Sequence, residues 1–307
     1  MRVIVVGYGV QGRKRANIAG PELAAVVDPV ADGARYRRIE DVPPDSYDAA
    51  LVCTPDEPKL ALLDYLLRHG KHALVEKPLL VGRSSEILRL RDLAQERRVA
   101  CYTAYNHRFE PHIVRLKQLL DSRELGRLYA ARFFYGNGTA RDVRNSAWRD
   151  TGAGVLPDLG SHLLDMALFL FGRWSGELRV WTANRFENRA FDHIAFGGGG
   201  QPLLEMEMTL LSWRNDFVCD VFAENGSAHI RSLCKWGPTT FTRRRRVLPS
   251  GRPTEETVEL VQPDPTWAAE YEHFKRLCAQ GAGNLDNDIV INDALAALTR
   301  QSLEKVA

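Results

Sequence analysis

The feature that most constrains the fold is a glycine-rich stretch near the N-terminus, VIVVGYGVQG (residues 3–12). An apolar run leads directly into Gly7, Gly9 and Gly12, and a helical pattern follows. In this spacing Gly7 permits a tight turn, Gly9 lets the backbone approach a pyrophosphate, and Gly12 lets the helix pack closely on its strand. The stretch therefore predicts a strand, turn and helix that bind a dinucleotide at the helix N-terminus.

The N-terminal part of the chain alternates short apolar runs with longer periodic segments. The runs predicted as strands are residues 2–6, 23–28, 49–53, 72–76, 100–105 and 128–135. The predicted helices are residues 11–19, 58–70, 84–98 and 111–125. Nearly all-apolar strands that alternate with helices indicate a parallel sheet covered on both faces.

After Gly172 the pattern changes to consecutive strands. These are predicted at residues 178–187, 192–196, 202–213, 217–224, 227–233, 240–248 and 256–261, followed by helices at 266–280 and 288–306. Alternation and turn chemistry indicate an open, mostly antiparallel sheet with one covered face. We therefore expect an α/β Rossmann dinucleotide-binding domain at residues 1–117. An α+β substrate-binding and oligomerisation domain is expected at residues 118–307, and the sequence leaves open whether the last helix packs back on the first domain.

Composition excludes several classes of protein. Hydrophobic residues at 45% and charged residues at 26% are ordinary for a soluble globular protein, and the net charge of +2 predicts neither a nucleic acid nor a membrane partner. The five scattered cysteines predict reduced thiols rather than disulfides or a zinc ribbon. Because the first residues enter a strand directly, we expect no signal peptide and a cytoplasmic protein.

The second predicted strand ends in an acidic residue, Asp28. A carboxylate at this position can accept hydrogen bonds from both ribose hydroxyls of an adenosine, whereas its negative charge would repel a 2′-phosphate. The sequence therefore favours NAD(H) over NADP(H).

Two further predicted strands end in polar residues at the same edge of the sheet, in VCTPD (52–56) and VEKPL (75–79). Ligands bind outside the carboxyl ends of parallel strands, so Lys77 points into the predicted cleft. This position favours a functional lysine over a solvated loop residue.

The motifs GYGVQG, VVDP, CTPD, EKP, YNHRFEP and GAGVLPDLGSHLLD occur in that order. In these motifs the chain resembles the glucose-fructose oxidoreductase / inositol dehydrogenase / rhizopine catabolism (Gfo/Idh/MocA) family over nearly its whole length. The resemblance implies an NAD(P)-dependent oxidoreductase on a sugar, cyclitol or nucleotide-linked sugar. It also implies a catalytic lysine at Lys77 and a catalytic aspartate and histidine at Asp158 and His162.

The residues themselves agree with that implication. Asp158 and His162 are four positions apart, so one turn of helix would place them on one face. A histidine suits proton transfer because its charge changes near neutral pH, and a cationic lysine can stabilise a developing alkoxide. We expect His162 to be the general acid/base and Lys77 to orient and polarise the substrate oxygen. Asp158 is expected to complete the hydrogen-bonding network.

Two other interpretations of this helix remain open. A satisfied core histidine would explain His162 without catalysis. A divalent metal held by Asp158, His162 and Asp165 is the other, but no further strong ligand is suggestively spaced, so we predict no metal.

The predicted site residues fall into two overlapping sets. The cofactor set is Gly7, Gly9, Val10, Gln11, Gly12, Asp28, Cys53, Thr54, Pro55, Glu76, Lys77 and Asn106. The substrate set is Lys77, Arg108, Trp148, Arg149, Asp158 and His162.

The function predicted on these grounds is NAD(H)-dependent hydride transfer with a secondary alcohol or ketone of a sugar-like substrate. An enzyme that retains NAD and uses it transiently, such as a glycosidase, lyase or epimerase, is the first alternative. A regulatory protein that binds NAD without turnover is the second. By resemblance we expect a homodimer or homotetramer, formed through the exposed face of the second sheet.

Overall fold

The structure is a computed structural model and describes residues 1–146 and 149–305. Its helices are Val10–Ala19 (α1), Lys59–Arg68 (α2), Ser84–Arg97 (α3), Pro111–Asp121 (α4), Ala140–Arg144 (α5), Ser161–Phe171 (α6), Thr266–Gln280 (α7) and Leu285–Glu304 (α8). Its strands are Val3–Val6 (β1), Leu23–Val27 (β2), Ala49–Val52 (β3), His72–Glu76 (β4), Cys101–Ala104 (β5), Leu128–Gly136 (β6), Leu178–Asn184 (β7), His193–Gly198 (β8), Leu203–Thr209 (β9), Asp216–Ala223 (β10), Gly226–Arg231 (β11), Thr239–Val247 (β12) and Gly251–Leu260 (β13).

The chain folds into two compact units. The first contains Met1–Asn106 and Pro265–Asp293, and the second contains His107–Asp264 and the described chain from Ala294 onward. The first is the predicted Rossmann-type domain, and the second contains the predicted large antiparallel sheet. The predicted fold class is confirmed.

The first unit is built on a five-stranded parallel sheet in the order β2-β1-β3-β4-β5. Successive side chains of a strand point to opposite faces, so each strand supplies two cores. In β1, Ile4 and Val6 join the core on one face, while Val3 and Val5 join the core on the other. This two-sided burial explains why the strands are apolar at nearly every position.

Helix α7 belongs to the first unit, although it lies far along the chain. Tyr271 and Phe274 of α7 are buried in the same core as Val3 and Val5. The predicted first domain, residues 1–117, therefore lacked a helix that covers one face of its sheet.

The predicted boundary after residue 117 also falls inside α4, which begins at Pro111 in the second unit. His112 of α4 contacts the ring of Phe241 in β12 and bonds the carbonyl of Thr239 through Nε2 at 3.3 Å. Because its buried side chains face the second sheet, α4 follows that sheet and not the preceding strands.

The second unit contains an eight-stranded sheet in the order β13-β12-β11-β10-β6-β9-β8-β7. All its neighbours are antiparallel except β6 and β9, which run parallel. The sequence pattern groups residues 128–135 with the alternating strands of the first sheet. In the structure these residues form β6, which lies near the centre of the second sheet. Its Phe133 packs against Phe171 of α6 at a ring distance of 6.3 Å.

Among the described residues, no helix combines the length and apolarity that crossing a membrane requires.

A buried ion-pair network ties α1 to β4 and α7. Arg15 of α1 is 1% exposed, and it donates from Nε to Glu76 and from Nη2 to Glu270, both at 2.7 Å. The indole of Trp267 lies 4.3 Å from its guanidinium carbon. Burial lowers the pKa of Arg15, but Glu270 and Glu76 outweigh burial and keep the guanidinium charged.

Replacing Arg15 by methionine should cost about 3–5 kcal/mol of unfolding free energy, because the buried Glu270 carboxylate would lose the guanidinium that balances its charge. Chemical denaturation measures this loss. The control Arg38→Met removes an exposed ion pair with Glu40 and should change stability by less than about 0.5 kcal/mol. Equal effects of the two changes would contradict the importance of the buried network.

Candidate active site

Two glycines of the loop after β1 are required by close packing. Gly7 has a φ of +91°, and a Cβ built on it would lie 2.8 Å from the carbonyl oxygen of Cys53. A Cβ on Gly12 would lie 1.9 Å from the carbonyl oxygen of Gly7. The turn and the approach of α1 to β1 therefore need glycine at both positions.

Gly9 differs, because a Cβ built on it meets no described atom within 4 Å. It is the N-cap residue of α1, whose start has no side-chain cap and no acidic residue in its first turn. Val10 and Gln11 follow it and are exposed. The helix thus presents backbone N–H groups and the positive end of its dipole to open space, which suits a pyrophosphate.

Asp28 follows β2 and is held rigidly by backbone donors. Its Oδ2 accepts the N–H of Tyr8 at 2.7 Å, and its Oδ1 accepts those of Val30 and Ala31 at 2.9 and 2.7 Å. Burial raises the pKa of Asp28, but these donors outweigh it and hold the pKa below its usual value. The carboxylate is ionised and oriented, and Oδ2, which accepts only one of these bonds, keeps acceptor capacity for a ribose hydroxyl.

The loops after β3 and β4 are tied together by Lys59, a residue that sequence reasoning did not select. Its Nζ donates to Asp56 at 2.7 Å and to the carbonyl oxygen of Pro78 at 2.8 Å. Since Pro78 directly follows Lys77, the bond fixes the backbone beside the predicted catalytic lysine. Lys77 itself is half-buried at the carboxyl end of β4.

The other predicted cofactor residues of these loops differ in burial and in hydrogen bonding. Cys53 donates its backbone N–H to the carbonyl oxygen of Val6, which joins the start of the β3 loop to the end of β1, and Pro55 is exposed. The buried hydroxyl of Thr54 has no hydrogen-bond partner among the residues that the structure describes, so a ligand would satisfy it.

Two predicted cofactor residues already have partners within the first unit. Glu76 binds Arg15, and the Asn106 amide donates to the hydroxyl of Thr266 at 2.7 Å. Their contacts with a cofactor remain predictions. The features that fit a dinucleotide are the N–H donors at the N-terminus of α1, the open space beside Gly9 and the acceptor carboxylate of Asp28.

In the second unit, a wide π-type turn, Leu156–Gly160, leads into α6. Asp158 lies in this turn with its side chain 43% exposed, and Arg149 is 3.8 Å away from its carboxylate. His162 lies in the first turn of α6 and is 7% exposed. The sequence predicted one regular helix here, and the wider turn rotates Asp158 relative to His162. Such turns occur frequently at functional sites.

The imidazole of His162 is part of a cluster that the single sequence did not reveal. The ring of His107 stacks on it, with centroids 3.9 Å apart and planes 19° apart. Lys235 Nζ lies 3.0 Å from His107 Nε2 and donates to the hydroxyl of Tyr135 at 3.2 Å. No local pattern joins these residues, since they come from the segment before α4, from β6 and from the chain after β11.

The carboxylate of Asp165 is held by Arg108. The guanidinium donates from Nε to Oδ2 at 2.6 Å and from Nη2 to Oδ1. Burial raises the pKa of Asp165, and the paired guanidinium opposes that rise. The partner of Asp165 is therefore a permanent cation, which no local sequence pattern indicated.

This pairing bears on two predictions. A divalent metal at Asp158, His162 and Asp165 is disfavoured, because a cation already binds both oxygens of Asp165. The substrate contact predicted for Arg108 remains a prediction, as does that of Arg149. Trp148, also in the predicted substrate set, lies outside the described residues.

Two family models match the chain. The model described as an oxidoreductase family with an NAD-binding Rossmann fold matches residues 1–105, and the one described as a GFO/IDH/MocA C-terminal domain matches residues 113–229.

Similar proteins include curated relatives and solved structures. The dTDP-3,4-didehydro-2,6-dideoxy-alpha-D-glucose 3-reductase of Streptomyces violaceoruber is 32% identical over 83% of this chain and 75% of its own length. The glucose-6-phosphate 3-dehydrogenase of Bacillus subtilis (strain 168) is 29% identical over 41% of this chain and 37% of its own length. A levoglucosan dehydrogenase solved in complex with NADH has a TM-score of 0.82 at 17% identity, and the match covers 99% of this chain and 97% of that chain.

The alignments with three of the curated relatives span only 37%, 37% and 50% of those proteins. The structural likeness, at its low sequence identity, shows the shared fold.

The glycine geometry predicts opposite effects for two similar substitutions. Gly9→Ala should leave the free protein as stable or raise its stability by up to about 1 kcal/mol, because its Cβ enters open space at negative φ. It should nevertheless weaken NADH binding about tenfold or more, because that space is where a pyrophosphate would approach.

Gly12→Ala should cost about 3 kcal/mol, because its Cβ would overlap the carbonyl of Gly7. Thermal melts and NADH fluorescence titration measure both quantities. Unchanged NADH affinity in a folded Gly9→Ala protein would contradict the location of the cofactor site.

Proposed function

The chain belongs to the GFO/IDH/MocA oxidoreductase family, and on that premise we propose that it is an NAD(H)-dependent dehydrogenase or reductase. It transfers a hydride between nicotinamide and a secondary alcohol or ketone of a sugar, cyclitol or nucleotide-linked sugar. The observation that carries the proposal is the uncapped N-terminus of α1, with open space beside Gly9 and the anchored carboxylate of Asp28 hydrogen-bonded to Tyr8 of the same loop.

The preference for NAD(H) rests on the charge of Asp28. Its donors keep it ionised at neutral pH, so its free acceptor site on Oδ2 can take a ribose hydroxyl while its charge repels a 2′-phosphate. Arg37 is the nearby cation that could bind such a phosphate, but its guanidinium donates to the carbonyls of Asp28 and Ala31 at 3.3 and 3.0 Å. These bonds reduce its availability.

The proposed chemistry assigns a separate role to each of three residues. Bound nicotinamide would supply the hydride acceptor or donor. His162 takes the proton from the substrate hydroxyl during oxidation and returns it during reduction. Lys77 stabilises the negative charge that develops on the substrate oxygen, and Asp158 orients a substrate hydroxyl.

The substrate class is supported by the names of relatives. One acts as a reductase on a dTDP-linked sugar and another as a dehydrogenase of a sugar phosphate. We propose that this chain takes a related polyol or sugar, including nucleotide-linked ones.

We also propose a homodimer or homotetramer in the cytoplasm. Support for an interface comes from large exposed side chains on strands of the second sheet, Trp181, Leu203 and Phe222. All five cysteines are free, which is consistent with a reducing compartment.

The function is tested by screening polyols, sugar acids and nucleotide sugars for a change in NADH absorbance. At least one substrate should support net turnover. With it, His162→Ala should lower kcat about 10²- to 10⁴-fold and Lys77→Ala about 10²- to 10³-fold, while His162→Ala keeps its NADH affinity.

His69→Ala and Lys117→Ala are matched controls and should retain full activity. His69 is exposed directly after α2, and Lys117 is a half-buried lysine of α4 that pairs with Asp121. Wild-type rates in the His162 and Lys77 variants would refute their assignment. Substrate consumption without net NADH formation would instead indicate transient use of the cofactor.

The cofactor preference predicts that Asp28→Asn, which removes the charge and keeps the shape, favours NADP(H). The ratio of kcat/KM for NAD to that for NADP should fall on the order of 100-fold, because relief of a like-charge contact is worth a few kcal/mol. Steady-state kinetics with both cofactors measure this ratio. An unchanged ratio would mean that Asp28 does not contact the ribose.

A further inference from the structure

We propose that Lys235 is a positioning residue for the catalytic histidine. It fixes His107 as the neutral imidazole that carries its proton on Nδ1, and His107 in turn holds the ring of His162 by stacking. This inference rests on the proposed function only in taking His162 as the group that transfers the proton.

The position of Lys235 is fixed by the turn that carries it. The turn Cys234–Trp236 is anchored where the N–H of Cys234 donates to Glu110 Oε2 at 3.1 Å. Glu110 is 2% exposed and lies three residues after His107. The segment with His107 and the turn with Lys235 are thus joined at two points, by the bond from the Cys234 N–H to the Glu110 carboxylate and by the contact between Lys235 and His107.

The hydrogen-bonding chemistry decides the tautomer. An ammonium group has three donors and no acceptor. At 3.0 Å from Lys235 Nζ, His107 Nε2 must therefore accept, and the proton of the neutral ring lies on Nδ1. A protonated His107 would direct an N–H towards a cation, so the contact disfavours the imidazolium.

Tyr135 completes the surroundings of Lys235. Its hydroxyl accepts from Nζ at 3.2 Å, and its ring lies 5.5 Å from that of His107 and 6.1 Å from that of His162. Burial raises the pKa of Tyr135, so the phenol remains neutral and does not cancel the lysine charge. The rings of Tyr135 and Trp236 also lie within 5.7 and 4.6 Å of the ammonium, which restricts its movement.

The consequence for His162 follows from the stacking at 3.9 Å. When His162 accepts a proton, its new charge faces a neutral aromatic ring and not a second cation. The same contact limits rotation of the imidazole, so its nitrogen stays aimed in one direction. Geometry of this kind is worth a large rate factor, because small misplacements of a catalytic group are costly.

The proposal is tested by ¹⁵N NMR of the histidine rings, in the wild-type protein and in Lys235→Met. With eight histidines in the chain, the His107 ring is assigned by its loss in His107→Asn. The wild-type ring should be neutral and protonated on Nδ1 at pH 7. In Lys235→Met that tautomer should lose its dominance, and kcat should fall about tenfold or more while KM changes less than about threefold.

Two variants distinguish a positioning role of Lys235 from a general loss of protein stability. Lys235→Arg keeps a donor-only cation and should retain the Nδ1–H tautomer and most of the activity. Lys117→Met removes a half-buried lysine that pairs with Asp121 on α4 and should change neither. A wild-type His107 protonated on Nε2, or an imidazolium, overturns the proposal even if Lys235→Met fails to fold.

The outcomes also distinguish this proposal from the proposed function. The tautomer is measured without substrate, so absence of turnover with every compound would refute the function and leave the Lys235 contact supported by the spectrum. Turnover that is unaffected in Lys235→Met would refute the positioning role and leave the function intact.

Discussion

The buried guanidinium of Arg15 is the interaction on which the first unit depends. It stands between the carboxylates of Glu76 and Glu270, so α1, β4 and α7 are held at a fixed spacing. A buried charge that lost one partner would be strongly destabilising, which makes the three elements cooperative. The next residue after Glu76 is Lys77, and Lys59 fixes the carbonyl of Pro78 beyond it. The backbone of the proposed catalytic lysine is therefore restrained on both sides.

Local sequence patterns were sufficient to predict much of this architecture. Apolar runs that are buried on both faces identified the five strands of the first sheet, and glycine spacing identified the turn before α1. At Gly7 and Gly12 a Cβ atom would clash with neighbouring backbone, as the glycine spacing predicted. The alternation after Gly172 located the later strands to within a few residues, because one face of that sheet is covered and the other is not.

Contacts between residues far apart in the chain could not be predicted in the same way. β6 has the composition of a buried strand, and only its ladders with β10 and β9 assign it to the second sheet. Arg108 and Asp165 gave no sign that they would pair, and Lys235 reaches His107 from a turn far along the chain. These contacts depend on how elements pack, whereas a single sequence reports mainly on each element by itself. The same limit applies to the wide turn before α6, where a regular helix was the simpler expectation.

The late arrival of α7 has a consequence for biosynthesis. The ribosome releases the glycine loop and all five strands of the first sheet early, but Tyr271, Phe274 and Glu270 cover one face of that sheet from much later in the chain. Until residues 266–280 emerge, the nascent sheet exposes apolar side chains, and Arg15 has only Glu76 of its two carboxylate partners. The dinucleotide half of the protein is thus begun first and completed almost last, after nearly all of the second unit has been translated.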